Sequence, residues 1–246
     1  MICTPRPDGW ELLFQNAHGL LAMRLLAPWK AELRPVRWDE VLYATALHDN
    51  GWQEHEPGDR LTPLGTPRHF EETTAADVVR QSERALERVW HASVFAGLVL
   101  AEHFRVLYGA HPDAAVQAML AAQRARGATA RRRLGVKQAE VAAHYAPLRW
   151  ADTLSLTLCL HRLRLFPNRR VELERIGRAP TFAWSRADGT IGLDPWPYAP
   201  ASLTVEAYAY PLRQLTFEHD DALAAALAAA PPEVLTWTLR DAPFAP

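Results

Sequence analysis

The residues of this chain best suited to chemistry are His18, the adjacent pair His48-Asp49, and Asp152. Adjacent His and Asp at a helix end can both reach one ion, since consecutive residues point ~100° apart and the last turn leaves room for a cation. Alone, the dipeptide more often makes a hydrogen bond from ring N–H to carboxylate. Its company changes the reading. His18 lies 30 residues upstream, with Leu21, Ala22 and Leu25 at i+3, i+4 and i+7 of one apolar helix face. Asp152 shares a face with Ser155, Leu156 and Cys159 on a helix otherwise built for burial. A carboxylate there is costly unless it is paired or ligates a metal. Two imidazoles and two carboxylates from three helices meet that need with one divalent ion. The donor set suits Mn, Fe, Co, Ni or Zn, leaves Mg open, and does not choose among them.

The elements that must position these groups are mostly helical. Short strands are expected around the Pro7–Gly9 turn, ending in Trp10–Phe14. The His18 helix is expected to end at Pro28, and a second to run from about Trp38 to Asn50-Gly51, placing His48-Asp49 on its last turn. The stretch from Gly51 to about Phe70 reads as a long Pro- and Gly-rich loop, expected to cover the metal with Trp52 lining the opening. Thr73 or Thr74 should cap two helical segments reaching Tyr108. Further helices are expected at 113–127, 136–144 and 148–166. Beyond Pro167, Thr181–Arg186 and Thr190–Leu193 read as a hairpin around Ala187-Asp188-Gly189. Strands are expected at Ser202–Tyr210, Arg213–Phe217 and Val234–Leu239, with an Ala222–Ala230 helix capped by Asp221. The expected fold is mainly α, within α+β: one domain over 1–246. It would be a helical bundle to residue 167, an all-alpha body, with a small antiparallel sheet of residues 168–246 packed on it.

Bulk properties bound the function classes. The 246 residues are 49% hydrophobic and 22% charged with net charge −1, so no overall field draws the chain to nucleic acid or an anionic membrane. Two cysteines far apart exclude a disulfide framework and fit a reducing compartment. The N-terminus has no signal-peptide pattern, and the longest apolar run, Ala222–Ala230, is too short to span a bilayer. A cytoplasmic protein with a small-molecule substrate is expected, with room for a homodimer.

The order His … His-Asp … Asp resembles the HD superfamily of metal-dependent phosphohydrolases. A closer set of residues is Gln15-x-x-His18, His48-Asp49-Asn50-Gly51-Trp52, Gly65-x-Pro67-x-x-Phe70, His103, Asp152-x-Leu154-Ser155-Leu156 and Pro195-Trp196-Pro197-Tyr198. It is similar over nearly the whole chain to the bacterial family called domain of unknown function 3891. The resemblance implies an HD-type helical fold with metal on His18, His48, Asp49 and Asp152, and no established reaction. One departure concerns the glutamate that follows the His-Asp pair on the same helix in HD nucleotidases. Here the helix stops at Asn50-Gly51, and Glu54 and Glu56 fall in the loop.

Beside the ligands, Glu54 and His103 are candidate catalytic groups, and Gln15, Asn50, Trp52 and Arg149 candidate substrate contacts. His103 matches a family position; a core histidine is the bland alternative. On one unbroken helix, His91 would lie ~18 Å and ~120° from His103 and could not share its ion. His91 and His161 read as structural, and His55 and His69 as solvated loop residues that can also meet substrate. Arg124, Arg126, Arg131, Arg132 and Arg133 read as a solvated connection between helices. Hydrolysis of a small phosphate ester or nucleotide leads. A non-catalytic metal or ligand site and an iron-dependent oxygenase of HD type are the alternatives.

Overall fold

The computed structural model describes residues 1–52, 54, 60–165, 169–242 and 244. Strands β1 (Ile2–Arg6) and β2 (Gly9–Leu13) form a hairpin that leads into α1 (Gln15–Leu26). Helices α2 (Trp38–Leu47), α3 (Ala75–Ala92), α4 (Val94–Tyr108), α5 (Ala114–Leu134) and α6 (Gln138–Cys159) follow, then the short α7 (Arg162–Leu165). The remaining elements are β3 (Val171–Glu172), β4 (Phe182–Ser185), β5 (Ile191–Asp194), β6 (Ser202–Leu212), α8 (Asp220–Ala229) and β7 (Glu233–Asp241).

The strands form one mixed sheet of seven, in the order β1-β2-β6-β7-β5-β4-β3. All neighbours are antiparallel except β5 and β7, which run parallel. This corrects the expected helical bundle with a small antiparallel appendage. About half of the chain is helical and a fifth is strand, in a curled sheet drawn from both ends of the chain. The all-alpha body fails for the same reason. Trp10, Glu11 and Leu12 of β2 pair with Leu212, Pro211 and Tyr210 of β6, a closure that local periodicity does not encode.

The sheet is also not laid on a finished helical core. Leu21 and Leu25 of α1, Trp150, Leu154 and Leu158 of α6, and Ile191, Leu193, Val205 and Leu239 of the sheet form one buried cluster. Inward Val205, Ala207 and Ala209 alternate with outward Glu206 and Tyr208, as expected of a strand with one covered face. A second cluster joins α3, α4 and α5 to the first half of α6 through Val141, Tyr145 and Leu148. Helix α6 therefore belongs to both cores. It is the element that carries Asp152.

Several local expectations hold. Thr74 caps α3, and its hydroxyl accepts from the Asp77 N–H at 3.2 Å. The β4–β5 hairpin turns through Gly189 at φ +78°, where Asp188 accepts from the Thr190 N–H at 3.0 Å. Others need correction. The helices expected at 136–144 and 148–166 are one helix, which keeps Pro147 inside it. Proline costs about 3 kcal/mol in a helix interior. Burial of Tyr145, Leu148, Trp150 and Ala151 around it supplies the opposing energy. Helix α5 continues past residue 127 to Leu134, so the arginine group lies on a helix; Arg126 sits 4.8 Å over the Trp90 ring. Residues 213–217 are not a strand, since β6 ends at Leu212. Helix α8 is capped by His219, whose Nδ1 accepts from the Ala222 N–H, rather than by Asp221. Among the described residues no helix is long and apolar enough to cross a membrane.

Candidate metal centre

Three helices bring the four predicted ligands together. His18 projects from the buried face of α1, His48 caps the C-terminus of α2 with Asp49 in the turn beyond it, and Asp152 comes from the middle of α6. His18 Nε2 lies 3.2 Å from His48 Nε2, 3.1 Å from Asp152 Oδ1 and 3.7 Å from Asp49 Oδ2. His48 Nε2 is 3.4 Å from both Asp152 Oδ1 and Asp49 Oδ2. Donor atoms bound at ~2.0–2.1 Å to one ion stand about 3.0–3.4 Å apart, so these spacings resemble the edges of a coordination shell. The His and Asp groups here can hold a metal ion.

Proton placement strengthens the fit. His48 Nδ1 lies 2.7 Å from the Thr45 carbonyl, which only accepts, so Nδ1 carries a hydrogen. The Ser155 hydroxyl donates to the Asp152 carbonyl at 2.9 Å, so it accepts from His18 Nδ1–H, also at 2.9 Å. Each ring thus holds its partner through Nδ1 and presents Nε2 to the centre, the usual arrangement of a metal-bound histidine. Two Nε2 atoms and two carboxylates then face one another with more lone pairs than hydrogens. A cation resolves that conflict, and the C-terminal carbonyls of α2 add to its attraction. Without one, a proton must serve. Burial opposes charge on His48, yet Asp49, Asp152 and the Thr45 carbonyl push its pKa up to about 9. Burial likewise opposes charge on Asp152, but hydrogen bonds from His18 and His48 hold its carboxyl well below the ordinary carboxylate range.

Close backbone approach sets this geometry. A Cβ on Gly19, the neighbour of His18, would meet the Ala46 carbonyl oxygen of α2 at 2.9 Å. A Cβ on Gly51 would meet the Gln81 carbonyl oxygen of α3 at 1.8 Å. Neither glycine's positioning role is visible in the sequence, because helix crossings are not.

The remaining candidates separate. His103, on α4, is buried with its ring centre 5.1 Å from that of His48, edge to face, and its ligand atom groups with those of His48 and Asp152. Burial, and then the neighbouring His48, pull its pKa down to about 4. His91 stands apart on the end of α3, exposed beside Glu87; the helix breaks at Ser93 between the two histidines. Glu54 is buried, and its carboxylate accepts from the Gln15 backbone N–H at 2.7 Å and pairs with the Met1 amino group. It is therefore committed to holding the start of α1. Gln15 is buried one turn before His18 with its Oε1 unpartnered among the described residues. The Asn50 carbonyl accepts from Arg88, and exposed Arg149 pairs with Glu174 at 2.7 Å. The backbone N–H of half-buried Trp52 donates to the Asp49 carbonyl at 3.2 Å. Residues 60–70 of the loop are tied to other segments of the chain. Arg60 bonds Asp220, Gly65 bonds Phe217, and Phe70 bonds Met1. His55, Glu56, Pro57 and Gly58 lie outside the described residues. His69 accepts from the Cys3 N–H, and His161 bonds buried Glu11 at 2.6 Å.

Sequence reasoning missed Tyr145, whose hydroxyl is 3.5 Å from His103 Nδ1, and Tyr108, which bonds Gln81 at 3.3 Å. Tyr145 precedes Asp152 by seven residues, two helical turns, so its face was readable. Burial pushes both hydroxyls up, and Asp152 adds to it in each case.

A family model described as protein of unknown function (DUF3891) matches residues 1–214. The chain belongs to that family. No curated protein and no solved structure matches it.

Proposed function

We propose that this DUF3891 protein is a divalent-metal-dependent phosphohydrolase of HD type, with the ion on His18, His48, Asp49 and Asp152 and a small phosphate ester or nucleotide as substrate. The observation that carries the reading is the pair of Nε2 atoms 3.2 Å apart, each held by a hydrogen bond on the far side of its ring and flanked by two carboxylates. Two carboxylates also balance the charge of one divalent cation. An ion of this kind supplies hydroxide from water near neutral pH and polarises a phosphoryl oxygen. Thr45 and Ser155 keep the imidazoles oriented for it, and the buried helix faces around them limit competing water. The Tyr108 hydroxyl, bonded to Gln81, is the candidate group to meet a substrate.

A second reading is a site that binds metal or ligand without turnover. It is favoured by the engagement of Glu54 and Arg149, which leaves neither for acid–base work or phosphate contact. Elemental analysis of the purified protein, followed by p-nitrophenyl phosphate and nucleotide panels with Mn²⁺, Co²⁺ or Zn²⁺, separates the two. Turnover that is lost in Asp152→Asn supports hydrolysis. A stoichiometric metal with no turnover across the panel favours the binding role.

A further inference from the structure

Buried His103 repeats the pattern of the two histidines already assigned. Its Nδ1 faces the Tyr145 hydroxyl at 3.5 Å, and its Nε2 is buried with no hydrogen-bond partner among the described residues. An imidazole nitrogen sealed from water without a partner is unfavourable, and such an atom in a native fold calls for an explanation. The surroundings offer one. His103 contributes a ligand atom to a group with His48 and Asp152 in which all such atoms lie within 4.8 Å of one another. Donors on opposite sides of one ion at ~2.0–2.2 Å are about 4.0–4.4 Å apart. His103 shares its group with His48 and Asp152, and His48 also groups with His18 and Asp49, so His48 links the two sets.

We propose that His103 is a fifth protein donor to the ion held by His18, His48, Asp49 and Asp152, making the site selective for ions that take five or six ligands. This inference rests on the metal reading above. Three imidazoles and two carboxylates overfill a tetrahedron, the closed arrangement of structural zinc. In a six-coordinate shell they leave one position for water or a substrate oxygen, and they suit Mn²⁺, Fe²⁺, Co²⁺ or Ni²⁺. The fifth donor comes from α4, while the other four come from α1, the end of α2 and α6. The ion would thus bridge the two hydrophobic clusters, because α1 packs in one, α4 in the other and α6 in both.

Cobalt is the direct probe, because its visible absorption is weak in six-coordination and intense in four. The chelated full chain is loaded with Co²⁺, and metal per chain, absorption and affinity are measured for wild type, His103→Leu and His103→Gln. Leu fills the buried space without ligating. Wild type should hold one Co²⁺ with a weak spectrum. His103→Leu should give stronger absorption and bind Co²⁺ at least ~10-fold more weakly, while Zn²⁺ binding changes less. An intense four-coordinate spectrum in wild type, two Co²⁺ per chain, or identical spectra and affinities in wild type and His103→Leu would overturn the proposal. The first two are read on wild type alone, so a variant that fails to fold does not protect it. A wild type that binds no Co²⁺ refutes the metal reading itself, whereas an unchanged His103→Leu spectrum leaves that reading standing.

Discussion

Thr45 and Ser155 settle what His48 and His18 can do, since each fixes a hydrogen on Nδ1 and leaves Nε2 for the centre. In the metal-free chain His48 takes up a proton in place of the ion, with a pKa raised to about 9 from the ordinary histidine value of 6.5. A raised folded-state pKa stabilises fully below the unfolded value, and the benefit is lost as pH climbs through the folded one. Chelated protein should therefore lose melting temperature between about pH 6.5 and pH 9. Metal displaces the same proton, so its affinity should rise across that window, by up to ~10-fold per pH unit. Calorimetric titrations at several pH values, in buffers of different ionisation enthalpy, measure both the affinity and the proton released. An affinity that is flat from pH 6 to pH 9 would contradict this account. At this scale the sequence was informative, because His18 and Asp152 are polar residues on faces otherwise built for burial. The engagement of Glu54 by the Gln15 amide was hidden, since it joins residues 39 apart.

Helix crossings, more than helix identities, place the candidate ligands. Gly19 lets α1 approach the last turn of α2, where an added methyl would press on the Ala46 carbonyl. Gly19→Ala should cost ~1–3 kcal/mol of stability, as overpacking does. It should also weaken metal binding, although Gly19 touches no ion. Denaturant melts paired with metal titrations check this, and a variant with native metal affinity would count against the positioning role. On α6, Leu154 is fully buried beside the ligand turn, and Leu154→Ala should cost ~2–5 kcal/mol. The periodicity of α1 and α2 was legible because each buries one stripe. The unity of α6 was not, because Pro147 is a strong local stop signal that tertiary burial overrides.

The whole molecule is tied together by one sheet, with β2 against β6 and α6 in two cores. Cleavage at an engineered site near Arg178 should release no folded fragment; the two pieces should co-purify or unfold together. A stable isolated fragment, seen by gel filtration and circular dichroism, would show separable units. Alternation along β6 was readable in sequence, but its partners β2 and β7 were not, since pairing depends on how the chain closes. The same closure leaves no preformed site in the unfolded chain, so binding free energy becomes folding free energy. An ion at 100 times its dissociation constant adds ~2.7 kcal/mol. For a domain of this length that is a melting rise of about 5–10 °C, at ~2–4 °C per kcal/mol. The decisive measurement is the thermal melt of the chelated chain before and after re-addition of Mn²⁺ or Ni²⁺, for wild type and Asp152→Asn. A rise of that size in wild type, absent in Asp152→Asn, is predicted. No metal-dependent shift in wild type would contradict a metal centre at His18, His48, Asp49 and Asp152.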